Sequence, residues 1–209
     1  LEMLSGHLRE NDFVFVPPVE EIYPEPDTRR FDFGELERVM EGVHRPGHFN
    51  GVAQVVSRLF DIIRPSCAFF GQKDFQQLTI IRELARREYP KTDIISCPIV
   101  REHDGLAMSS RNRRLLTQHR ERAGEIYRTL IAAAAMITDY EIREIKEFVA
   151  DRINMIPDFR LEYFEIVEDG TLNPVISRFG MSPEKNYFAC IALWAGDVRL
   201  IDNMEVALR

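Results

Sequence analysis

Two short polar segments hold the residue types best suited to grip an anion. Gly71-Gln72-Lys73-Asp74-Phe75-Gln76-Gln77 follows the apolar run Cys67-Ala68-Phe69-Phe70 and opens a stretch of helical periodicity, so Gly71 and Lys73 fall at a strand-to-helix turn. A glycine there lets backbone approach a ligand closely, and the free N–H groups of a helix's first turn add to the Lys73 ammonium. Met108-Ser109-Ser110-Arg111-Asn112 lies past the next predicted strand and offers two hydroxyls and a guanidinium. Both segments follow the carboxyl ends of successive predicted parallel strands, where open α/β sheets take their ligands. Together they predict a nucleotide site.

Other candidates divide between chemistry and structure. His48, in Arg45-Pro46-Gly47-His48, either assists a substrate or bonds a loop carbonyl. Gln76 and Gln77 either grip a polar substrate or face solvent. His7, His44, His103 and His119 have no spacing that suggests metal ligation, so the metal ligands stay unknown. No carboxylate pair, Gly-x-Ser-x-Gly or Cys–His spacing stands out.

The elements that must position these residues follow from periodicity. Residues 1–9 read as the end of a helix leading into a strand at 13–16, and 34–40 as a short helical turn. Val52, Val55, Val56, Leu59, Phe60 and Ile63 recur at helical steps until Pro65. A buried strand over 67–70 comes next, then a helix capped by Asp74 with Leu78, Ile81, Leu84 and Ala85 inward, then a strand over 93–100. Past the Asp104-Gly105 turn, Thr117 caps a long helix through Ile126, Leu130 and Ala134, and a second helix runs over 140–155. Strand-like runs at 161–167, 187–194 and 198–201, with turns at Asp169-Gly170 and Gly196-Asp197, predict an antiparallel sheet around a buried Trp194. The predicted class is α/β: a partial Rossmann-like parallel-sheet nucleotide-binding domain over 1–106, then a small α+β domain over 107–209. The stretch 173–186 is longer than a tight hairpin needs.

Composition bounds the function. The chain has 209 residues, 45% hydrophobic and 29% charged, with a net charge of −7. That acidic balance disfavours nucleic acid, so a phosphate ligand is small and locally held. Cys67, Cys97 and Cys190 show no disulfide or zinc spacing, which suits a reducing cytoplasm. No apolar run approaches a membrane span, and the amino end lacks the pattern of a signal peptide.

Four segments in order closely resemble one enzyme family. Arg45-Pro46-Gly47-His48-Phe49, the Gly71 to Gln77 segment, Asp104-Gly105-Leu106-Ala107-Met108-Ser109-Ser110-Arg111-Asn112 and Arg199-Leu200-Ile201-Asp202-Asn203 are similar to the pantothenate synthetases, or pantoate–β-alanine ligases. The resemblance runs from about residue 5 to the carboxyl end. It implies an ATP- and Mg2+-dependent ligase of the coenzyme A precursor pathway that makes pantothenate from pantoate and β-alanine through pantoyl-adenylate. It also implies a cytoplasmic homodimer. By motif, Gly71, Gln72, Lys73 and Asp74 would line the ATP site and Val100 would face the adenine. Met108, Ser109, Ser110 and Arg111 would form a second phosphate loop, and Gln77 would hold pantoate. Lys73, Arg111, Ser109 and Ser110 would make the catalytic phosphate contacts, with Arg45 and His48 near the substrates.

The family's amino-terminal His-x-Gly-His box and a further pantoate-binding glutamine have no counterpart in this sequence. The chain therefore reads as a carboxyl-terminal part, expected to be inactive or impaired alone, since each lost phosphate contact costs around 10²-fold or more in rate. Two other readings stay open: a fragment of another adenylate-forming nucleotidyltransferase, such as a class I aminoacyl-tRNA synthetase, and a non-catalytic dimerising module.

Overall fold

The computed structural model describes residues 6–208. Two compact units are present, Leu1–Arg30 and Phe31–Arg209. In the first, a short helix α1 (Val19–Ile22) follows Pro18, and the Arg29 guanidinium binds Asp27 at 2.6 Å. The strand expected over 13–16 does not form. A strand persists only with a partner to satisfy its backbone, and neither sheet among the described residues includes this segment. The helix end expected over 1–9 lies mostly outside the described residues, and residues 6–7 form a turn.

The second unit begins with a 3-10 turn (Gly34–Glu37) and a single helical turn α2 (Glu41–His44), then helix α3 (His48–Ile63). Strand β1 (Cys67–Gly71), helix α4 (Phe75–Glu88) and strand β2 (Asp93–Cys97) make one crossover unit, with β1 and β2 parallel and Cys67 opposite Asp93. β2 stops at Cys97, short of the expected residue 100, because Pro98 follows and cannot donate to the ladder. α3 starts four residues earlier than its apolar pattern suggests, so Arg45-Pro46-Gly47 leads directly into a helix start at His48. Phe49, Ala53, Val56 and Phe60 pack on Ile80, Ile81 and Leu84 of α4, while Val55 and Ile63 are exposed. All four predicted inward residues of α4 are buried. Asp74 is its N-cap residue by position, yet its side chain makes no capping bond.

Beyond β2 the predicted long helix is broken at Ala123-Gly124 into α5 (Thr117–Arg122) and α6 (Glu125–Met136), and Leu116 rather than Thr117 occupies the cap position. Gly124 packs where a Cβ would lie 2.8 Å from the Asp104 carbonyl oxygen, which explains the glycine. Helix α7 (Ile142–Asn154) starts with a reciprocal capping box between Glu141 and Glu144. Strands β3 (Phe159–Glu168), β4 (Tyr187–Ala195) and β5 (Val198–Val206) form the antiparallel sheet in that order. Ile126, Leu130, Ile145, Val149 and Ile153 from the helices meet Ile166, Ile191, Leu193 and Leu200 on one sheet face. Trp194 is not in this core: it is half-buried and donates its indole N–H to Glu162 at 2.9 Å. The long 173–186 segment is used: Arg178 ion-pairs with Glu141 and bonds the Thr138 carbonyl, tying the β3–β4 connection to the start of α7.

β4 and β5 are joined by the two-residue turn Gly196-Asp197, and Gly196 takes φ +57°. A Cβ there would lie 2.5 Å from the buried His119 ring, which sits 3.3 Å from Asp158. Gly196→Ala combines left-handed strain with a displaced histidine, so it is expected to cost about 1–3 kcal/mol in urea unfolding. A variant as stable as the parent would show that the His119 ring yields freely.

Candidate active site

A cleft of about 400 Å3, counting the open solvent at its mouth, lies where the carboxyl end of β1 meets the antiparallel sheet. Glu41, Arg45 and His48 line one side, Lys73, Asp74 and Gln77 another, and Tyr163, Asp202 and Asn203 the sheet wall. The turn bearing Lys73 is short. The Gln72 N–H extends the parallel ladder to the Cys97 carbonyl at 2.8 Å, and the Asp74 N–H closes onto the Gly71 carbonyl at 3.3 Å. Gly71 needs no left-handed φ, and nothing lies within 4 Å of the place its Cβ would take, so the glycine keeps space open above the strand end. The Lys73 side chain is 21% exposed, 3.8 Å from the Asp74 carboxylate.

Beneath the cleft, a buried carboxylate organises the cations. Glu41 accepts from both terminal nitrogens of Arg199, at 2.9 and 2.7 Å, and from the Tyr163 hydroxyl at 2.8 Å. Arg45 approaches it to 3.7 Å. Burial pushes the Glu41 carboxyl up, but bonds and charge from Arg199, with Tyr163 and Arg45, outweigh it and hold the group below the usual carboxylate range. Burial and the nearby Glu41 charge push the Tyr163 phenol up, so it stays a donor. Arg199 also binds Glu162 through its Nε at 2.8 Å. Glu162 and Tyr163 are adjacent residues that both reach this network, which strand alternation forbids; a register shift between Leu161 and Tyr163 makes it possible.

The backbone ahead of Glu41 is strained, with Met40 at φ 41° and ψ −116°. Gln76 holds it there. Its amide oxygen accepts from the Glu41 N–H at 2.9 Å, and its amide nitrogen donates to the carbonyls of Leu36 and Val39 at 2.7 and 3.0 Å. Gln76 is thus buried and fully used by the fold, neither a substrate grip nor a solvent-facing residue. Gln77 is half-buried and faces the cleft. His48 starts α3 and tilts on Phe49 at 5.1 Å. Burial first, then the Arg45 charge with Arg111 adding, keep its imidazole below the ordinary 6.5 against Glu41 and Asp74, so it is neutral at pH 7.

The second segment sits beside the cleft rather than in its wall. The Met108 N–H donates to the Val100 carbonyl at 2.9 Å, and Arg101 bridges to Ala107, so the chain doubles back. Ser109 starts a 3-10 turn (Ser110–Arg114), its hydroxyl accepting from the Arg111 N–H at 3.2 Å. Arg111 reaches the Arg199 carbonyl at 3.2 Å and its charge is felt at His48. Of the residues singled out from sequence, Arg45, His48, Lys73, Asp74 and Gln77 converge in the cleft. Gly71 and Gln72 directly precede Lys73, and Val100, Met108, Ser109, Ser110 and Arg111 lie on the neighbouring loop. Among the described residues no group of three or more His, Cys, Asp or Glu side chains could hold a metal ion, and no helix is long and apolar enough to cross a membrane.

Sequence reading assigned no role to Glu41, Tyr163, Arg199, Asp202 or Asn203. Asp202 pairs with Arg101 at 2.7 Å, and Asn203 donates to the carbonyls of Gln72 and Lys73. The strand expected over 198–201 continues through Asp202 and Asn203 to Val206, which a strand tolerates because both side chains are bonded.

Comparison with known proteins converges on one family. The family model described as pantoate-beta-alanine ligase matches residues 3–205. A pantothenate synthetase of Bacteroides fragilis (strain YCH46) is 50% identical over 193 residues, 92% of this chain and 67% of the relative, so the chain spans about two thirds of that relative's length. A crystal structure of the pantothenate synthetase from Thermus thermophilus matches with a TM-score of 0.88 at 36% identity, covering 99% of this chain and 73% of the other. The pantoate-beta-alanine ligase from Francisella tularensis, complexed with beta-gamma ATP and beta-alanine, matches with a TM-score of 0.66 at 29% identity, over 88% of this chain and 61% of the other.

Because Glu41 is held below its ordinary value of 4.5, its contribution to stability is complete above that value and is lost as the pH falls through the lower, folded one. Glu41→Gln leaves Arg199 with Glu162 as its one carboxylate partner and is expected to cost about 1–3 kcal/mol at neutral pH. Urea unfolding followed from pH 6 downward checks both parts: the difference between parent and variant shrinks in the acid range, by about 1.4 kcal/mol for each pH unit between the unfolded and folded titrations. A difference that stays constant with pH would sink the assignment of the charge to Glu41.

Proposed function

Given that the chain belongs to the pantoate–β-alanine ligase family, a family of ligases, we propose that this cleft binds ATP and pantoate and supports formation of pantoyl-adenylate. The observation that carries the reading is Lys73, placed at the carboxyl end of β1, in one cleft with Arg45, His48 and Gln77. The buried carboxylates are already compensated, Glu41 chiefly by Arg199 and Asp202 by Arg101, which leaves Lys73 and Arg111 for an anionic ligand, with Arg45 beside them at 3.7 Å from Glu41. The Francisella relative, complexed with its nucleotide and β-alanine, supports the same substrates here.

In the proposed reaction a pantoate carboxylate oxygen attacks the α-phosphorus of ATP, and the bond to the bridging oxygen of pyrophosphate breaks. The β-alanine amine then attacks the acyl carbon, AMP leaves with the carboxylate oxygen, and the amine loses a proton. Such transfers need in-line placement and charge neutralisation more than covalent help. Lys73 meets the charge that grows on the leaving pyrophosphate, Arg111 supplies a forked donor, and Ser109 and Ser110 offer hydroxyls beside it. Gln77 orients pantoate through its amide. Neutral His48 can accept or donate one hydrogen bond to a substrate without adding charge. Mg2+ would enter with ATP and offset phosphate charge, and Asp74, 50% exposed beside Lys73, is the exposed cleft carboxylate that would help hold it.

In this reading residues 1–106 carry the nucleotide-binding part and 107–209 the α+β part, and the resemblance extends the proposal to a cytoplasmic homodimer. The chain binds ATP, while turnover by these residues alone is weak. Magnesium-ATP at about 100 times its dissociation constant is expected to stabilise the chain by about 2.7 kcal/mol, read as a raised unfolding midpoint. Lys73→Ala reduces that shift by weakening ATP without abolishing its binding, and any pantoate-dependent ATP–pyrophosphate exchange falls about 10²-fold or more with it or with Arg111→Ala. A midpoint that ATP does not move would overturn the reading.

A further inference from the structure

We propose that Asn203 is a positioning residue for Lys73, through which the antiparallel sheet sets the shape of the phosphate-binding turn. This rests on the reading of Lys73 as a phosphate contact. Asn203 lies on β5, is 2% exposed, and stands 130 residues from Lys73 in sequence. Its Nδ2 donates to the Gln72 carbonyl at 2.9 Å and to the Lys73 carbonyl at 3.0 Å, and its Oδ1 accepts from the Gln72 side-chain amide at 3.5 Å.

The Gln72 and Lys73 carbonyls belong to the two peptide planes on either side of the Lys73 Cα, so directing both at one amide nitrogen fixes both planes. Together they decide where the Lys73 Cα–Cβ bond points. Neither flanking element does this. The β1 ladder ends with the Gln72 N–H on the Cys97 carbonyl, and the helical bonding of α4 starts with the Leu78 N–H on the Asp74 carbonyl. Between them runs the 3.3 Å bond from the Asp74 N–H to the Gly71 carbonyl, a long and weak one.

Asn203 is itself held on both sides. Its N–H donates to the Asp202 carboxylate at 2.7 Å, and its carbonyl accepts from Arg101 at 3.2 Å. Arg101 grips the same carboxylate through two bonds and lies 3.8 Å over the Tyr127 ring. A buried asparagine in a strand costs stability unless its donors are satisfied, and both donors of this one go to the turn. The sheet alone would accept an apolar residue there.

The test is a double-mutant cycle on the 209-residue chain, read by calorimetric titration with magnesium-ATP. Asn203→Asp is isosteric and sets a carboxylate oxygen against two carbonyl oxygens; Asn203→Ala removes the donors without adding charge and is held to the same criteria. Each is expected to weaken ATP about tenfold to a hundredfold, the range in which a misplacement of about 1 Å acts. In a Lys73→Ala background either change adds nothing, because the loss runs through the ammonium. Unchanged affinity in the single variants, or losses that add in full, overturn the proposal. Hydrogen exchange on the ligand-free chain reads the same residue without nucleotide. Faster exchange of the Asp74 amide with strand β1 still protected supports the positioning role, and unchanged exchange at Asp74 overturns it. A parent chain that binds no ATP sinks the reading of Lys73 as a phosphate contact, and the exchange result then decides alone whether Asn203 shapes the turn.

Discussion

Burying the Glu41 carboxylate is the constraint from which the cleft's arrangement follows. A carboxylate at 8% exposure is tolerable only when its charge and lone pairs are met, and Arg199, Tyr163 and Arg45 meet them. Each partner comes from a different place: Arg199 from β5, Tyr163 from β3, and Arg45 from the turn after α2. Satisfying one charge therefore fastens the antiparallel sheet to the loop that carries Arg45 and His48. The bulge at Glu162 and the strained Met40 are local distortions that this arrangement requires, and the Gln76 amide offsets the second. Arg199 then fixes Arg111 through its own carbonyl, so the two cationic segments share one anchor.

Much of the fold was legible because its signals are local. Leu78, Ile81, Leu84 and Ala85 repeat at helical spacing and are all buried, and the apolar runs of the antiparallel sheet are bounded by Gly-containing turns, as strands are. Where reading failed, the deciding partner was distant. Residues 13–16 have strand composition but no strand to pair with, and Val55 and Ile63 sit on a face of α3 that α4 does not cover. The single helix expected from Thr117 through Ile126, Leu130 and Ala134 passes over Gly124, which packs against the Asp104 carbonyl where the helix is interrupted. Trp194 reads as core by residue type, yet the Glu162 carboxylate draws its indole to the core's edge.

The site was legible to a similar depth. Lys73, Arg45, His48 and Gln77 lie in motifs whose residue types announce anion or polar-ligand chemistry. Glu41, Arg199, Asp202 and Asn203 act through partners 101 to 158 residues away, and single-sequence periodicity carries no information about such pairs. Gln76 and Gln77 make the point most directly. They are neighbours of one type on one helical turn, and about 100° of helical rotation sends one into the Leu36–Glu41 backbone and the other into the cleft.

The reach of these bonds also sets the order in which the cleft can assemble. Closing a loop of more than about a hundred residues carries an entropic cost that local contacts repay only after each lobe has formed, so long-range pairs come late in folding. Arg101–Asp202, Glu41–Arg199 and the Asn203 contacts all wait for β5, the last strand. During synthesis the Lys73 turn therefore emerges from the ribosome well before the residues that shape it. Until β5 docks, the buried charges on Glu41 and Arg101 remain hydrated and the nascent cleft stays open to water.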